Sequence, residues 1–126
     1  MTFAAAKARL ASSWPTHLGT PRIYEPNAVP KNAASPYVVL MVDTGRPENR
    51  RLGGGTQTLV RNVGVQIFSR LMSTWDDVAD AADAAFRDQW LSDFPDPAFC
   101  TRAVAASPSR DADDAGWLSG TQVYTY

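Results

Sequence analysis

His17 and Cys100 are the single histidine and the single cysteine of the chain. A catalytic histidine needs an orienting carboxylate and a nucleophile within reach, and the neighbouring Trp14-Pro15-Thr16 supplies neither. Cys100 sits in an alternating pattern between Phe99 and Thr101. It reads as a small buried apolar residue, not a nucleophile. One cysteine excludes a disulfide within the chain, and one of each leaves a Cys/His zinc site without ligands. Asp76, Asp77, Asp80 and Asp83 crowd four carboxylates together, but their spacing fits the first turn and the exposed face of a helix. Asp111, Asp113 and Asp114 repeat half of a calcium loop without its glycine or its downstream glutamate. Gly53, Gly54 and Gly55 lack the Lys-Ser/Thr pair and the following helix of a phosphate loop, and so read as a hairpin tip. No catalytic residue, metal site or cofactor site is expected, because no set of groups converges on one reaction.

The arginines Arg46, Arg50 and Arg51 lie beside those glycines, with Asp43 and Glu48 nearby. Two readings stay open for them: an arm that meets an acidic partner surface or passing nucleic acid, or a solvated loop tip. Charge is divided along the chain. Up to Ser73 there are nine Lys/Arg and three Asp/Glu, a net of +6; from Thr74 onward there are three Arg and ten Asp, a net of −7. A two-signed surface can dock head-to-tail on copies of itself; alternatively, an acidic helix and an acidic loop merely occur late in the chain.

The rest of the composition is that of an ordinary globular chain. It has 126 residues, 44% hydrophobic and 20% charged, with a net charge of −1. This suits a single domain spanning residues 1–126 and argues against a generally basic nucleic-acid binder. The longest apolar run, Tyr37–Val42, is far short of the roughly 20 residues of a membrane span. The opening Met1-Thr2-Phe3-Ala4 does not read as a signal peptide. A soluble, intracellular or assembled domain with no membrane contact is expected.

The elements follow from periodicity. Thr2 is a candidate N-cap, and Phe3, Ala6, Leu10 and Trp14 recur at helical spacing until Pro15. Pro15–Pro36 carries five of the nine prolines and reads as an extended connection with a short strand at Arg22–Tyr24. Tyr37–Val42 reads as a strand covered on both faces. A long loop is expected from Asp43 to Gly55, then one strand over Thr56–Arg70. Such a strand would reach ~50 Å, so its Gly55 end is expected to project with the preceding strand as a hairpin arm. Ser73 or Thr74 is expected to cap the main helix, with Asp76 and Asp77 in its first turn. Trp75, Val78, Ala79, Ala82, Ala85, Phe86 and Trp90 form its buried stripe, Asp83 can pair with Arg87, and Asp93–Pro97 ends the helix. Phe99–Ala106 reads as a strand, Ser107–Ala115 as a hairpin loop and Trp117–Tyr126 as the last strand. The order implies an α+β fold: a mixed or antiparallel sheet, one long and one short helix packed on one side, and a long hairpin arm.

Taken together, the Met1-Thr2-Phe3 helix, the Pro-rich link, Pro36–Leu40, the Gly/Arg loop, Gly64–Phe68, the Ala/Asp helix ending near Phe86 and the closing Gly116-Trp117 strand resemble the small tail-terminator (tail-completion) proteins of long-tailed bacteriophages and gene transfer agents. The nearest strings are Val65-Gln66-Ile67-Phe68 and Ala79–Phe86. The resemblance implies a structural virion protein without catalytic residues. It implies a ring, typically of six, at the head-proximal end of the tail tube, which stops tube growth and presents a surface to the head's connector or stopper. DNA passes through the central channel. The implied partners are the chain itself, the tail tube protein, the connector or stopper protein, and DNA held without sequence-specific binding. Arg46, Arg50, Arg51 and Gly53–Gly55 become candidate inter-ring or lumen contacts. Asp76, Asp77, Asp80 and Asp83, or the Asp111–Asp114 loop, become the acidic surface for a neighbour's arm. Two other roles are weighed: a head-tail connector, adaptor or stopper of the neck, and a small binding or regulatory domain outside the virion.

Overall fold

The computed structural model describes residues 2–43, 46–48, 58–91, 98–105, 107–110 and 116–126. Helix α1 spans Phe3–Ser13, and Thr2 caps it as expected, its hydroxyl accepting from the Ala5 N–H at 3.1 Å. Ala6 and Leu10 turn fully inward and Trp14 closes the stripe. Pro15 then directs the chain into a 3₁₀ turn at Thr16–Leu18. Arg22 braces the Pro-rich connection from within. Arg22 donates through Nε to the Pro36 carbonyl at 2.8 Å and through a terminal nitrogen to the Ser35 carbonyl at 3.1 Å. The Ser35–Pro36 peptide is cis. Strand β1 (Ile23–Tyr24) is thereby laid parallel to β2 (Tyr37–Val42).

From β2 the chain enters the arm. Strands β3 (Arg46–Glu48) and β4 (Thr58–Val60) pair antiparallel with each other and form their own two-stranded ribbon. Part of the expected Asp43–Gly55 loop is therefore strand. The single long strand expected over Thr56–Arg70 is divided at Arg61 into β4 and β5 (Asn62–Ser69). The reason is a change of partner: β5 pairs with β2 and with the last strand, whereas β4 pairs with β3. The Tyr126 N–H bonds the Arg61 carbonyl and the Asp43 N–H bonds the Asn62 carbonyl at that junction. The expected tip, Arg50, Arg51 and Gly53–Gly55, lies outside the described residues.

Helix α2 spans Met72–Phe86. It begins before either expected cap. Leu71 takes the N-cap position without a side-chain cap; Ser69, three residues before Met72 and fully buried, braces the turn that enters the helix, its hydroxyl accepting from the Leu71 N–H and meeting the Thr74 hydroxyl, which itself donates to the Leu71 carbonyl. The helix stops at Phe86, where Arg87 turns extended with ψ 128°; Asp88 then takes a left-handed φ of 55°, which aspartate tolerates better than most residues. The chain then reverses into β6 (Gln89–Leu91), followed by β7 (Ala98–Val104), β8 (Ser109–Arg110) and β9 (Leu118–Thr125). The main sheet runs β1-β2-β5-β9-β7-β6, with β8 also on β9. Strand β6 falls where more helix was expected, and β8 falls inside the expected Ser107–Ala115 loop.

Alternation sorts the sheet into two faces. Val38, Leu40, Val63, Val65, Ile67 and Tyr124 face α1 and α2 and are fully buried. Trp75, Val78, Ala82, Ala85 and Phe86 of α2 meet them as expected. Ala81 is buried while Ala79 is only partly so, and Trp90 lies outside the helix altogether. The opposite face carries Tyr37, Val39, Met41, Gln66, Phe68 and Val123. Strand β2 is thus not covered equally on both sides: Val38 and Leu40 are sealed, whereas Met41 is 37% exposed. The whole is an α+β fold with both helices on one side of a mixed sheet.

Candidate functional site

The groups that might have formed a reactive centre are each engaged elsewhere. His17 does acquire a carboxylate that the sequence did not indicate, Nε2 lying 3.0 Å from Asp77. Both side chains are open to solvent, and the nearby Thr74 hydroxyl is bound to the Leu71 carbonyl and Ser69. The pair therefore has no free nucleophile in Thr74 and acts as a tie between the 3₁₀ turn and the second turn of α2; because the helix begins at Met72, Asp76 and Asp77 lie beyond the first turn in which they were expected. Cys100 is fully buried. Burial pushes its thiol up to about 11, with a smaller lowering by Arg9 and a raising by Asp88, so the nucleophilic thiolate is scarce at neutral pH. Among the described residues no group of three His, Cys, Asp or Glu side chains is placed to hold a metal ion.

The four aspartates of α2 separate by role. Asp76 and Asp80 are exposed, and Asp77 meets His17. Asp83 points into the fold, accepting from the Tyr124 hydroxyl at 2.7 Å and from an Arg102 guanidinium nitrogen at 2.7 Å. The expected partner Arg87 stands farther off, at 3.9 Å, and more exposed. The Arg102 contact therefore carries more of the interaction, since exposed pairs are screened. Burial, then the hydrogen bond to Asp83, drive the Tyr124 phenol far above its ordinary range. Periodicity placed Asp83 off the buried stripe and gave no sign of this tie. The Gln122 amide, also buried, donates to the Ala79 carbonyl at 3.1 Å. A glutamine in an otherwise apolar strand was the available signal for that contact.

Three outward features remain. The arm leaves the sheet between Asp43 and Asn62, with Arg46 in β3 opposite Val60; Asp111, Asp113 and Asp114 lie outside the described residues. An aromatic group covers part of the outer face. Tyr37 stacks on Phe68 at 4.8 Å, meets Trp117 edge-on at 5.4 Å and approaches Tyr24 at 6.0 Å. Arg70 lies over Trp117 at 4.4 Å. At the far flank, Trp90 and Phe99 form an edge-to-face pair at 5.4 Å, 66% and 45% exposed.

Comparison with known proteins gives the chain a family. The model of the family described as "Tail completion protein gp17" matches residues 5–125. The chain belongs to this family. As a tail completion protein it is a structural component of a virion tail. A chain in the solved structure entitled "Virion of native gene transfer agent (GTA) particle" shares the fold, with a TM-score of 0.63 and 15% identity, over 97% of this chain and 90% of that one. No curated protein matches the tail completion protein. Among the described residues, no helix of it is long and apolar enough to cross a membrane.

Proposed function

We propose that the protein closes into a ring at the head-proximal end of the tail tube, ends tube growth there and joins the tail to the head connector, without a catalytic step. The family match over residues 5–125 carries this reading. A ring of identical chains needs a heterologous interface, with two different surfaces on each copy. The chain supplies two candidates on separate elements. One is the arm, with Arg46 at its described base and Arg50, Arg51 and Gly53–Gly55 along its sequence. The other is the exposed face of α2, with Asp76, Asp77 and Asp80; Asp83 is committed inward. The proposed partners are further copies in a ring of six, the tube protein, the connector or stopper, and DNA passing through the channel without sequence readout.

The test is to image tails assembled without the protein. Overlong or ragged tubes that lack heads are the expected result. Tubes of normal length joined to heads would overturn the proposal. Normal-length tubes without heads would move the protein to a connector or stopper role in the neck.

A further inference from the structure

Arg22 and Arg70 are distant in sequence, and Ser35 brings them together. The Ser35 carbonyl accepts from a terminal nitrogen of Arg22 at 3.1 Å, and the Ser35 hydroxyl accepts from the Arg70 backbone N–H at 2.9 Å. Both arginines line one open groove of about 560 Å³, with His17, Leu18, Pro36 and Leu71 around them. No Asp or Glu is part of its wall, and among the described residues no carboxylate pairs with either guanidinium. Asp77, at the His17 side, is held by that histidine. Each arginine is nonetheless fixed in place. Arg22 donates to the Pro36 and Ser35 carbonyls at 2.8 and 3.1 Å and, more distantly, to that of Thr20 at 3.5 Å, which leaves part of its fork of donors unused. Arg70 lies over the Trp117 ring at 4.4 Å. Stacking occupies the flat face of a guanidinium and leaves its in-plane N–H edge open. A carboxylate is the group such an edge binds through two parallel hydrogen bonds, and a side chain already held in position loses little freedom when it does so.

The rest of the wall decides what kind of molecule carries that carboxylate. Leu18 and Leu71 are apolar, Leu71 is 61% exposed, and Met72 beside it is 49% exposed. A nucleic-acid backbone presents phosphates and sugars and gives these side chains nothing to be buried against. A protein segment with an apolar residue next to Asp or Glu suits both parts. Position separates the groove from the ring contact. It stands at the end of the sheet where β2 starts and β5 stops, with Tyr37 opposite Phe68. The arm leaves from the other end, beyond the Val42–Val63 pair, ~20 Å away along β2 at ~3.3 Å per residue. None of Asp76, Asp77 and Asp80 is part of the wall, nor is any residue of the arm. The two surfaces assigned to ring closure are left to each other, and the groove is left for a different protein.

We propose that the Arg22–Arg70 groove is the docking site for an acidic segment of another virion protein, its carboxylates on the two guanidinium edges and a flanking apolar side chain against Leu18 and Leu71. This rests on the virion-tail assignment and adds to the ring reading a surface that faces a neighbour other than a second copy. The experiment uses particles assembled with the full chain carrying Arg70→Lys, treated with a carbodiimide that joins an amine to a touching carboxylate without a spacer. Peptide mapping is expected to find the amine at position 70 joined to an Asp or Glu of another virion protein, with an apolar residue within two positions of it. In parallel, Arg70→Ala should lower retention of the protein in purified particles at least fivefold while circular dichroism shows it folded; Leu71→Ser, at an exposed side chain, gives the same readout by a second route. A link only to a second copy of this chain would overturn the inference. So would retention of both variants at the level of the unaltered chain. Loss of both variants from particles with no link to any protein would assign the groove to DNA phosphate and also overturn it. Tube length reads the ring proposal separately: overlong tubes without the protein uphold that reading even if the groove proves empty, and normal headed tails overturn it whatever the groove binds.

Discussion

Asp83 shows how little a residue's type says about its duty. It is one of a run of aspartates on an amphipathic helix, yet its two oxygens bind the Tyr124 hydroxyl and Arg102, each at 2.7 Å. Hydrogen bonds to charged groups contribute ~1.5–3 kcal/mol. Asp83→Asn should therefore lower the unfolding free energy by about 2 kcal/mol, whereas Asp80→Asn, on the exposed face, should change it by less than ~0.5 kcal/mol. Urea unfolding of the two variants checks the contrast. Cys100 and Tyr124 make a second prediction. Both have acid forms favoured by burial, Cys100 rising from 9.0 to about 11 and Tyr124 rising from 10.0. The unfolded chain ionises first as pH rises, so it binds fewer protons there and stability falls. The contribution is complete below pH 9 and is lost above it, that of Cys100 by about pH 11. Native protein at pH 8 should resist iodoacetamide at Cys100, while the urea-unfolded chain reacts readily. Equal rates in the two states would contradict the burial argument.

At the level of elements, the two helices begin by different means. Thr2 caps α1 from an exposed position through one bond to the Ala5 N–H. Helix α2 has no side-chain cap at Leu71, and Ser69, fully buried, braces the turn before it between the Leu71 N–H and Thr74. Removing a surface cap costs ~1 kcal/mol. Stranding buried polar groups costs ~1–3 kcal/mol. Ser69→Ala should thus destabilise more than Thr2→Ala, about 2 against about 1 kcal/mol; the reverse order in thermal and urea melts would contradict the assignment. The helices are also tied to their neighbours through polar groups: Trp75 Nε1 donates to the Ile67 carbonyl, Gln122 to the Ala79 carbonyl and Arg9 to the Ala85 carbonyl. The last places a cation at the C-terminal end of α2, where the helix dipole favours it.

For the molecule as a whole, the division of charge becomes a question of assembly. With a net of +6 before Thr74 and −7 from it onward, two copies attract when unlike halves meet. Such attraction weakens as the Debye length falls from ~10 Å at 0.1 M salt to ~3 Å at 1 M. Replacing Arg50 and Arg51 by Glu should weaken self-association strongly at low salt and little at high salt, as read by sedimentation. An equal effect at all salt concentrations, or none, would remove electrostatics from the contact.

Local sequence determined α1, its Thr2 cap, β2, the α2 stripe from Trp75 to Phe86, the closing strand and the existence of an arm. These follow from period and punctuation within a few residues, and the charge split was countable directly. Tertiary structure decided the rest. Arg61 ends one strand and precedes another because the partner strands change there. Ser69 braces the turn into α2 because folding buries its hydroxyl beside the Leu71 N–H and Thr74. Asp83 turns inward because Tyr124, 41 positions away, arrives beside it. Trp90, spaced to join a helical stripe, instead stands exposed on β6 because Asp88 reverses the chain two residues earlier. Periodicity can report which side of an element is apolar; which side meets the core and which is left for another molecule depends on partners that only folding brings together.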